Sequence, residues 1–486
     1  MESAPITATS SKFEDLPVKL FIYPAIIFMV IGMFVGVFIS FNGMVVPDYW
    51  AGEYIHFGRI RPVHVGHVLF LWLLPADLGL LYYITQRLCG IQLWSRQVGI
   101  WSAGIYWLSA GLGVYSFPFG TNWGWEYAEF PVWLSVLPIK FLIFVAFGLV
   151  SVNIFMTIAN RKYEKMYVSL WYTMGALLWG PLSWIAGNFA LDYIPNGISR
   201  VNMSFFYVHN LVGLIFTPMG LATAFYFLPK LSKQPIYSHK LSMIGFWSIA
   251  FVYAWVGSHH IIHGPMSQWI QTVAIIFSVW LFIPVWTACH NLFFTLRNAW
   301  GKYNEIAAVR FIIMGTLFYL MGSTQGSFMA LRNVNEITSK TDWIIGHAHI
   351  TLYGTFTFFA MAGIYGALPA LTGKPLYSKR MADWHFTLNL LGASLMFLVL
   401  HVGGFLQGLQ WASWADGDSY RIFQNNLSKL SFVQTVADMH YFWLVRTISG
   451  LIIFAGNLIF VFNVFNTVLL KPASLPPKTE RLAAGI

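Results

Sequence analysis

Long apolar runs recur along the whole chain and are separated by short polar loops. A helix needs roughly 20 mainly apolar residues to cross the hydrocarbon of a bilayer. We predict twelve such spans, at residues 19–41, 64–86, 97–117, 132–158, 167–190, 205–229, 241–262, 267–296, 307–331, 343–371, 385–412 and 440–470. The runs do not alternate with a period of two, which excludes a transmembrane barrel. The pattern predicts an all-α integral membrane protein.

Composition agrees with this prediction. Of the 486 residues, 57% are hydrophobic and 9% are charged, whereas soluble domains carry about a quarter charged residues. The net charge of +10 would suit a nucleic-acid partner. However, the basic residues form short clusters between the spans, as residues that set membrane topology do. We therefore expect contact with the lipid bilayer and no nucleic-acid partner. The two cysteines, Cys89 and Cys289, form neither a ligand spacing nor a disulfide framework.

The loops alternate in charge. One set is basic and holds Arg87, Arg96, Arg161, Lys162, Lys165, Lys230, Lys233, Lys240, Arg297, Lys302, Lys374, Lys379 and Arg380. The other set holds Asp48, Glu53, Glu126, Glu129, Asp192, Asp416 and Asp418. Because cytoplasmic loops are enriched in lysine and arginine, both tails, residues 1–18 and 471–486, are predicted to be cytoplasmic. No linker or convincing internal repeat is evident, so residues 1–486 are predicted to form a single membrane domain.

Histidines on four predicted spans converge on one layer of the membrane. Ionisable residues inside a span are costly and are usually functional. With the predicted orientation, six histidines fall in the outer third, namely His64, His209, His259, His260, His347 and His349. The sequence therefore predicts a metal or heme site in this layer. Five other histidines within or near spans, His67, His263, His385, His401 and His440, are predicted to make ordinary polar contacts.

The spacing of these histidines suggests how they are divided. A helix turns about 100° per residue, so His347 and His349 point about 200° apart and suit two different groups. A helix lying between two hemes fits this spacing, with His64 as the second axial ligand of one heme. His209, His259 and His260 supply three neutral imidazoles, a set suited to copper, iron or zinc. Tyr253 lies seven residues before His260, so it is predicted to face nearly the same way, about 10 Å lower along the helix axis.

Five motifs, in this order, resemble a known family. RIRPVH, YVHNLVG, YAWVGSHH, TDWIIGHAH and FVQTVADMHYFWLVR are similar to those of subunit I, the catalytic subunit, of cbb-type (C-family) heme-copper cytochrome c oxidases. The likeness runs from the first span to about residue 470. It implies the heme-copper oxidase subunit I fold and a bacterial inner-membrane location. It also implies reduction of O2 to water with electrons from cytochrome c, coupled to proton uptake and pumping.

The resemblance also implies cofactors and partners. These are two b-type hemes, one copper ion, a calcium ion and membrane-anchored c-type cytochrome subunits. His64 and His349 would be the axial ligands of a low-spin heme, and His347 the proximal ligand of a high-spin heme. Copper would be bound by His209, His259 and His260. The family's tyrosine, covalently linked to a copper-ligand histidine, corresponds to Tyr253, with His209 as its partner. It would supply an electron and a proton during O–O cleavage.

Further residues receive roles around these groups. Arg61 and Arg446 lie near the outer ends of their spans and are predicted to neutralise heme propionates, because a buried carboxylate needs a charged partner. The resemblance places Glu126 at the calcium position. It also implies a K-type proton path from the cytoplasm to Tyr253. The candidate residues for proton transfer are Ser242, Tyr319 and Gln325.

One departure from the family and one alternative function remain. The family usually has a glutamate in the ninth span where this chain has Gln325, and an amide cannot carry a proton at physiological pH. A nitric oxide reductase catalytic subunit is the alternative, with non-heme iron, a carboxylate ligand and no active-site tyrosine. Its first ligand motif has a glutamate where this chain has Gly213. Tyr253, Gly213 and Gln325 favour oxygen and copper. A transporter is disfavoured because its polar residues would lie near the midplane.

Overall fold

A computed structural model describes residues 13–47, 49–50, 52–121, 130–195, 197–416 and 432–469. The predicted tails, apart from residues 13–18, lie outside these described residues. Twelve long helical segments follow the twelve predicted spans. They are α1 (Leu16–Val45), α2 (Phe57–Cys89), α3 (Arg96–Ser116), α4 (Ile139–Ala159), α5 (Val168–Trp184), α6 (Ile198–Ser232), α7 (His239–Ile261), α8 (Gln268–Thr295), α9 (Ala307–Met329), α10 (Asp342–Thr372), α11 (Lys379–Ala412) and α12 (Val433–Leu469).

The all-α membrane prediction is confirmed. Within the described parts of the chain, ten helices are long and apolar enough to cross a membrane. The other two, α3 and α5, are the helices that the hydropathy pattern supports least. Serine and glycine are frequent in α3, and α5 has only 17 residues before its helical pattern widens. The predicted count of about twelve transmembrane helices is consistent with this arrangement.

Three helices form the centre of the bundle. In α2, α6 and α10, respectively 94%, 94% and 83% of the most apolar window is buried, against 33–61% in the other membrane-length helices. These three helices contact one another. The other helices surround them, and α12 packs against α1 so that the surrounding layer closes. The six converging histidines divide between these central helices and α7.

Four helices, α2, α6, α11 and α12, begin six or seven residues earlier than the hydropathy pattern predicts, and two of them carry candidate ligands. α2 begins at Phe57 and α6 begins at Ile198, so His64 and His209 lie inside helices rather than at their first turns. The reason is visible in the sequence, because the first turns carry polar residues such as Arg59 and Arg200. An apolar run therefore marks the hydrocarbon-spanning part of a helix but misses its polar beginning.

An internal repeat joins three pairs of neighbouring helices, which corrects the expectation that no repeat is present. Before α3, α7 and α11, an aromatic residue and a serine precede the helix, in the pairs Trp94-Ser95, Tyr237-Ser238 and Tyr377-Ser378. The partner helices α4, α8 and α12 carry the pentapeptides NIFMT, NLFFT and NVFNT. The repeat escapes a search for similar segments because only a few residues recur, at unequal separations.

The third copy illustrates the contacts that all three share. The Asn463 side chain accepts from the Ser378 N–H at 3.0 Å and donates to the Ser378 carbonyl at 2.9 Å. The Tyr377 N–H donates to Thr467 Oγ1 at 2.9 Å, and Ser378 Oγ accepts from the Met381 N–H at 3.2 Å. Because N-terminal N–H groups of a helix lack intrahelical partners, the pentapeptide on the second helix of each pair satisfies the backbone where the first helix of that pair begins.

We expect Asn463→Ala to destabilise the bundle by about 1–3 kcal/mol, because it leaves partly buried backbone groups of Ser378 without their partner. Thermal unfolding of the purified complex in detergent measures this. Asn466→Ala is the matched control, since Asn466 lies on the same helix, is partly exposed and donates to the Phe462 carbonyl of its own helix. Equal melting temperatures for the two variants would contradict the proposed contribution of the repeat.

Candidate metal centre and cofactor cavity

The structure brings three histidines together from two helices. One ligand nitrogen from each of His209, His259 and His260 lies within 4.8 Å of the others. His209 Nδ1 and His260 Nε2 are 3.2 Å apart, and the rings of His259 and His260 are 4.5 Å apart between centroids. Three imidazoles with converging nitrogens form a set that a transition-metal ion can occupy.

The end of α7 has a local conformation that a regular helix does not have. Its α-helical part ends at Val252, and residues 253–261 continue in tight 3₁₀ turns. A Cβ on Gly257 would lie 2.8 Å from the Phe206 backbone, so glycine allows α7 to approach α6 closely here. The expectation that Tyr253 and His260 are related by regular helical rotation is therefore wrong, because the turn changes between them.

Tyr253 nevertheless lies beside the three histidines. Its ring stacks on His209, with centroids 4.7 Å apart and an angle of 29° between the planes. A side chain at position 213 would overlap the Tyr253 ring, because an ideal Cβ on Gly213 falls within it. Gly213 thus provides the space in which the tyrosine lies.

The two histidines of α10 point to different neighbours, as their spacing predicts. His349 and His64 both lie near Arg446, and His64 also lies near His349. His347 instead lies near His260 and His401. The Nδ1 atoms of His64 and His349 lie 2.8 Å from the carbonyls of Gly32 and Ile345, respectively. These contacts leave Nε2 of each ring available as a ligand atom.

A cavity of about 1210 Å³ connects the two groups of histidines. Its volume exceeds the ~300–1,000 Å³ of typical small-molecule pockets. The predicted site residues in its wall are Arg61, His64, His209, Tyr253, His259, His260, Tyr319, His347, His349 and Arg446. Most other wall residues are apolar. A large, mainly apolar space with imidazoles in its wall fits flat, apolar cofactors that bind through iron.

Each central helix widens just after its ligand residues. π-helical turns cover His67–Leu73 in α2, Leu211–Phe216 in α6 and Ile350–Thr357 in α10. Such turns are rare and occur frequently at functional sites. Each one changes the rotational position of the rest of its helix. The π-helical turn therefore allows the histidines to face the cavity, while the residues after the turn face the neighbouring helices.

Arg446 provides positive charge in the cavity wall. It is only 8% exposed, its Nη1 donates to the Met44 sulfur at 3.0 Å, and Asp342 interacts with it electrostatically. A thioether is a weak acceptor. The arginine therefore retains donors for an anionic group, which fits a cofactor carboxylate. Arg61 lies in the same wall.

The predicted proton-path residues do not form one continuous series of hydrogen bonds. Ser242 lies at the opposite end of α7 from the histidines, where Asn291 Nδ2 donates to its Oγ at 2.7 Å. Tyr319 lines the cavity together with Tyr253. Between these levels, Phe246 packs among Trp171, Tyr172 and Trp179 and offers no hydroxyl. Gln325 contacts His401. Glu126, the predicted calcium ligand, lies outside the described residues.

Two groups that hold the candidate ligands were not predicted from the sequence. Ser278 of α8 accepts a hydrogen bond from His259 Nδ1 at 2.7 Å, while its own hydroxyl donates to the Ala274 carbonyl at 2.6 Å. The Gly32 carbonyl of α1 holds His64. For Ser278, the only indication in the sequence was a serine within an apolar helix. The Gly32 carbonyl could not be predicted, because a backbone carbonyl is present at every residue.

Comparison with known proteins agrees with this geometry. The chain matches the family described as cytochrome c and quinol oxidase polypeptide I over residues 17–452. It is 30% identical to the Cbb3-type cytochrome c oxidase subunit CcoN1 of Stutzerimonas stutzeri over 482 residues, which cover 96% of this chain and 98% of that protein. It is also 30% identical to a cytochrome c oxidase subunit 1 homolog of Agrobacterium tumefaciens, covering 94% of this chain and 84% of the relative.

A solved structure shows the same fold. The structure of a heme-copper terminal oxidase dimer superposes with a TM-score of 0.74 at 14% identity, covering 94% of this chain and 84% of that chain. The fold is thus that of heme-copper oxidase subunit I, a family whose members bind hemes and copper. The chain belongs to the cytochrome c and quinol oxidase polypeptide I family, and its resemblance to the cbb type is confirmed.

We expect Gly36→Ala to disturb the His64 side of the cavity selectively. The added methyl would lie 2.6 Å from His64 Cε1, and overpacking of this kind typically costs about 1–3 kcal/mol. The heme spectrum of the purified complex should lose low-spin signal per polypeptide. Gly148→Ala is the control, because a Cβ at Gly148 meets no atom within 4 Å. An unchanged low-spin signal in Gly36→Ala would contradict a role of His64 in holding heme.

Proposed function

We propose that this chain is the catalytic subunit of a terminal oxidase that reduces O2 to water with electrons from cytochrome c. The observation that carries the proposal is the convergence of His209, His259 and His260 with the stacked Tyr253 at one end of a shared cavity. Three imidazoles beside a phenol suit a metal that exchanges electrons and a nearby donor of one proton and one electron.

The histidines divide among three cofactors in this proposal. His64 and His349 hold a low-spin b-type heme, His347 holds a high-spin b-type heme, and the three-histidine set holds copper. When bound, the hemes would supply electron transfer, and the high-spin heme with copper would supply the site of oxygen reduction. The support is that the residues fit, since His64 and His349 present free Nε2 atoms on one side of α10 and His347 lies on the other.

The chain's own residues position these groups and supply a proton. The Ser278 hydroxyl fixes the His259 ring by accepting from Nδ1, so that Nε2 stays unprotonated and able to bind a metal. Tyr253, whose ring stacks on His209, donates its phenolic proton and one electron. Arg61 and Arg446 balance the charge of heme propionates in the cavity wall.

Proton uptake in this proposal begins at the end of α7 that carries Ser242 and finishes at Tyr319 and Tyr253. Ser242 is tied to Asn291, and Tyr319 is buried at 4% exposure beside the cavity. Phe246 lies between the two levels, so the intermediate step needs water or side-chain movement. We include proton pumping in the proposal on the strength of the family resemblance.

The surroundings of Gly213 favour this function over a nitric oxide reductase. A glutamate ligand at position 213 and a tyrosine at position 253 would occupy the same space, because even a Cβ at 213 overlaps the ring. Among the described residues, the metal-binding group consists of histidines and includes no carboxylate. These features suit copper better than a non-heme iron that requires a carboxylate oxygen.

Electron entry requires partner subunits. The chain contains no CxxCH motif for attaching a c-type heme. The relative from Stutzerimonas stutzeri is named as a subunit of a cbb3-type cytochrome c oxidase. We therefore propose association with membrane-anchored c-type cytochromes in a bacterial inner membrane, with both termini in the cytoplasm.

His260→Ala should remove copper while the low-spin heme remains. Loss of one of three ligands should lower oxygen consumption by more than about 100-fold, because even changes outside the ligand set typically cost 10–100-fold. Metal analysis and the heme spectrum are measured on the same sample. His290→Ala is the control, since His290 lies exposed on α8 and stacks on Phe294. Copper retention with full oxygen consumption in His260→Ala would refute the assignment.

Metal content and substrate distinguish the two candidate functions directly. We expect about one copper per catalytic subunit, with all iron accounted for by heme, and rapid consumption of oxygen. Copper and iron analysis, a pyridine heme spectrum and parallel oxygen and nitric oxide assays test this. Excess non-heme iron without copper, with rapid conversion of nitric oxide and no oxygen consumption, would identify a nitric oxide reductase instead.

A further inference from the structure

The candidate ligands differ in how their second ring nitrogen is bonded. A metal-binding histidine almost always donates its other N–H to a carboxylate, a carbonyl or water, and that bond increases the basicity of the ligand. His64 and His349 use backbone carbonyls, and His259 uses Ser278. In contrast, Nδ1 of His347 is buried and has no hydrogen-bond partner within the described residues, and the same is true of Nε2 of His209, which lies beside Tyr253 instead of the helix that carries Gln325.

The helix that packs against His347 offers no side-chain partner at its closest approach. Gly326 of α9 faces the imidazole, and even a Cβ at this position would lie 2.8 Å from His347 Cε1. Glycine therefore lets the two helices approach closely but offers no side-chain acceptor. The adjacent residue, Gln325, has an amide that could serve as an acceptor. In its present orientation this amide bonds His401 and makes no hydrogen bond with His347.

His401 of α11 controls that orientation. Its Nδ1 bonds the Phe397 carbonyl, so Nδ1 carries the proton and Nε2 is left as an acceptor. Gln325 Nε2 donates to this atom. The His401 ring also meets Trp343 edge-on, with centroids 4.8 Å apart, and a Cβ on Gly346 would lie 2.8 Å from its Cε1. Packing against Trp343 and Gly346 fixes the His401 ring, and the hydrogen bond to His401 fixes the orientation of the Gln325 amide.

We propose that Gln325 and His401 form a positioning pair that withholds a hydrogen-bond acceptor from His347. The inference rests on the proposed function, in which His347 is the proximal ligand of the high-spin heme. An imidazole without an acceptor at Nδ1 remains neutral and is a weaker donor to iron. The ferrous state is then favoured, and the reduction potential of this heme lies higher than it would with a carboxylate acceptor.

Gln325→Glu tests the pair directly. A carboxylate cannot donate to His401 Nε2, so it becomes free to accept from His347 Nδ1–H. The iron–histidine stretching frequency of the reduced high-spin heme should rise, and the midpoint potential of that heme should fall. Resonance Raman spectroscopy and a spectroelectrochemical titration of the purified complex measure these changes. The low-spin heme bands should stay unchanged.

His401→Phe is an independent second variant. It preserves a ring against Trp343 but removes the acceptor for the Gln325 amide, which can then turn its oxygen to His347. We expect a smaller shift in the same direction as in Gln325→Glu, because a neutral amide is a weaker acceptor than a carboxylate. His290→Phe, on the exposed surface of α8, should leave both readings at the wild-type values.

The outcomes separate this inference from the proposed function. If both variants have wild-type stretching frequency and potential, the pair does not act on His347 and the inference is wrong. A wild-type frequency already typical of a strongly hydrogen-bonded imidazole would also overturn it. If one variant fails to assemble, the other decides. Absence of any iron–histidine band in the reduced wild-type protein would instead refute the assignment of His347 as a heme ligand.

Discussion

Every imidazole buried in this bundle needs partners for its ring nitrogens, and this constraint determines much of the arrangement around the cavity. A polar group in an apolar interior costs several kcal/mol when it is left unpaired. One nitrogen of His64 bonds to α1, one of His349 bonds within α10, and one of His259 bonds to α8. The helices that supply these partners must therefore pack at fixed positions against the helices that carry the ligands.

The bundle meets this requirement by separating two tasks. The central helices α2, α6 and α10 carry ligands and widen into π-helical turns just after them. Three pairs of surrounding helices, including α7 with its two ligand histidines, are joined at the end opposite those histidines by the serine and asparagine contacts of the repeat. Stability at one end thus comes from satisfied backbone groups, while the other end accommodates a large cavity. A change in the repeat should alter stability without altering the chemistry of the site.

Glycines determine which chemistry the cavity can hold. Gly213 leaves room for Tyr253, Gly36 leaves room for His64, and Gly326 brings α9 against His347 without offering an acceptor. In each case the missing side chain is as important as the ligand beside it. The choice between a phenol and a carboxylate beside the three histidines is therefore a steric one. The same reasoning makes Gln325, next to Gly326, the residue whose orientation matters most for His347.

By itself, the sequence determined the all-α membrane class, the approximate helix positions and the residues with ligand chemistry, because hydropathy and the cost of buried imidazole are local properties. The sequence also predicted that His347 and His349 face different directions, since both lie on one regular helix. Only the tertiary structure decided the partners of the ligands, such as Ser278 and the Gly32 carbonyl, because these come from helices distant in sequence. The 3₁₀ turns after Val252 likewise depend on the close approach of α7 to α6, which no helical period predicts.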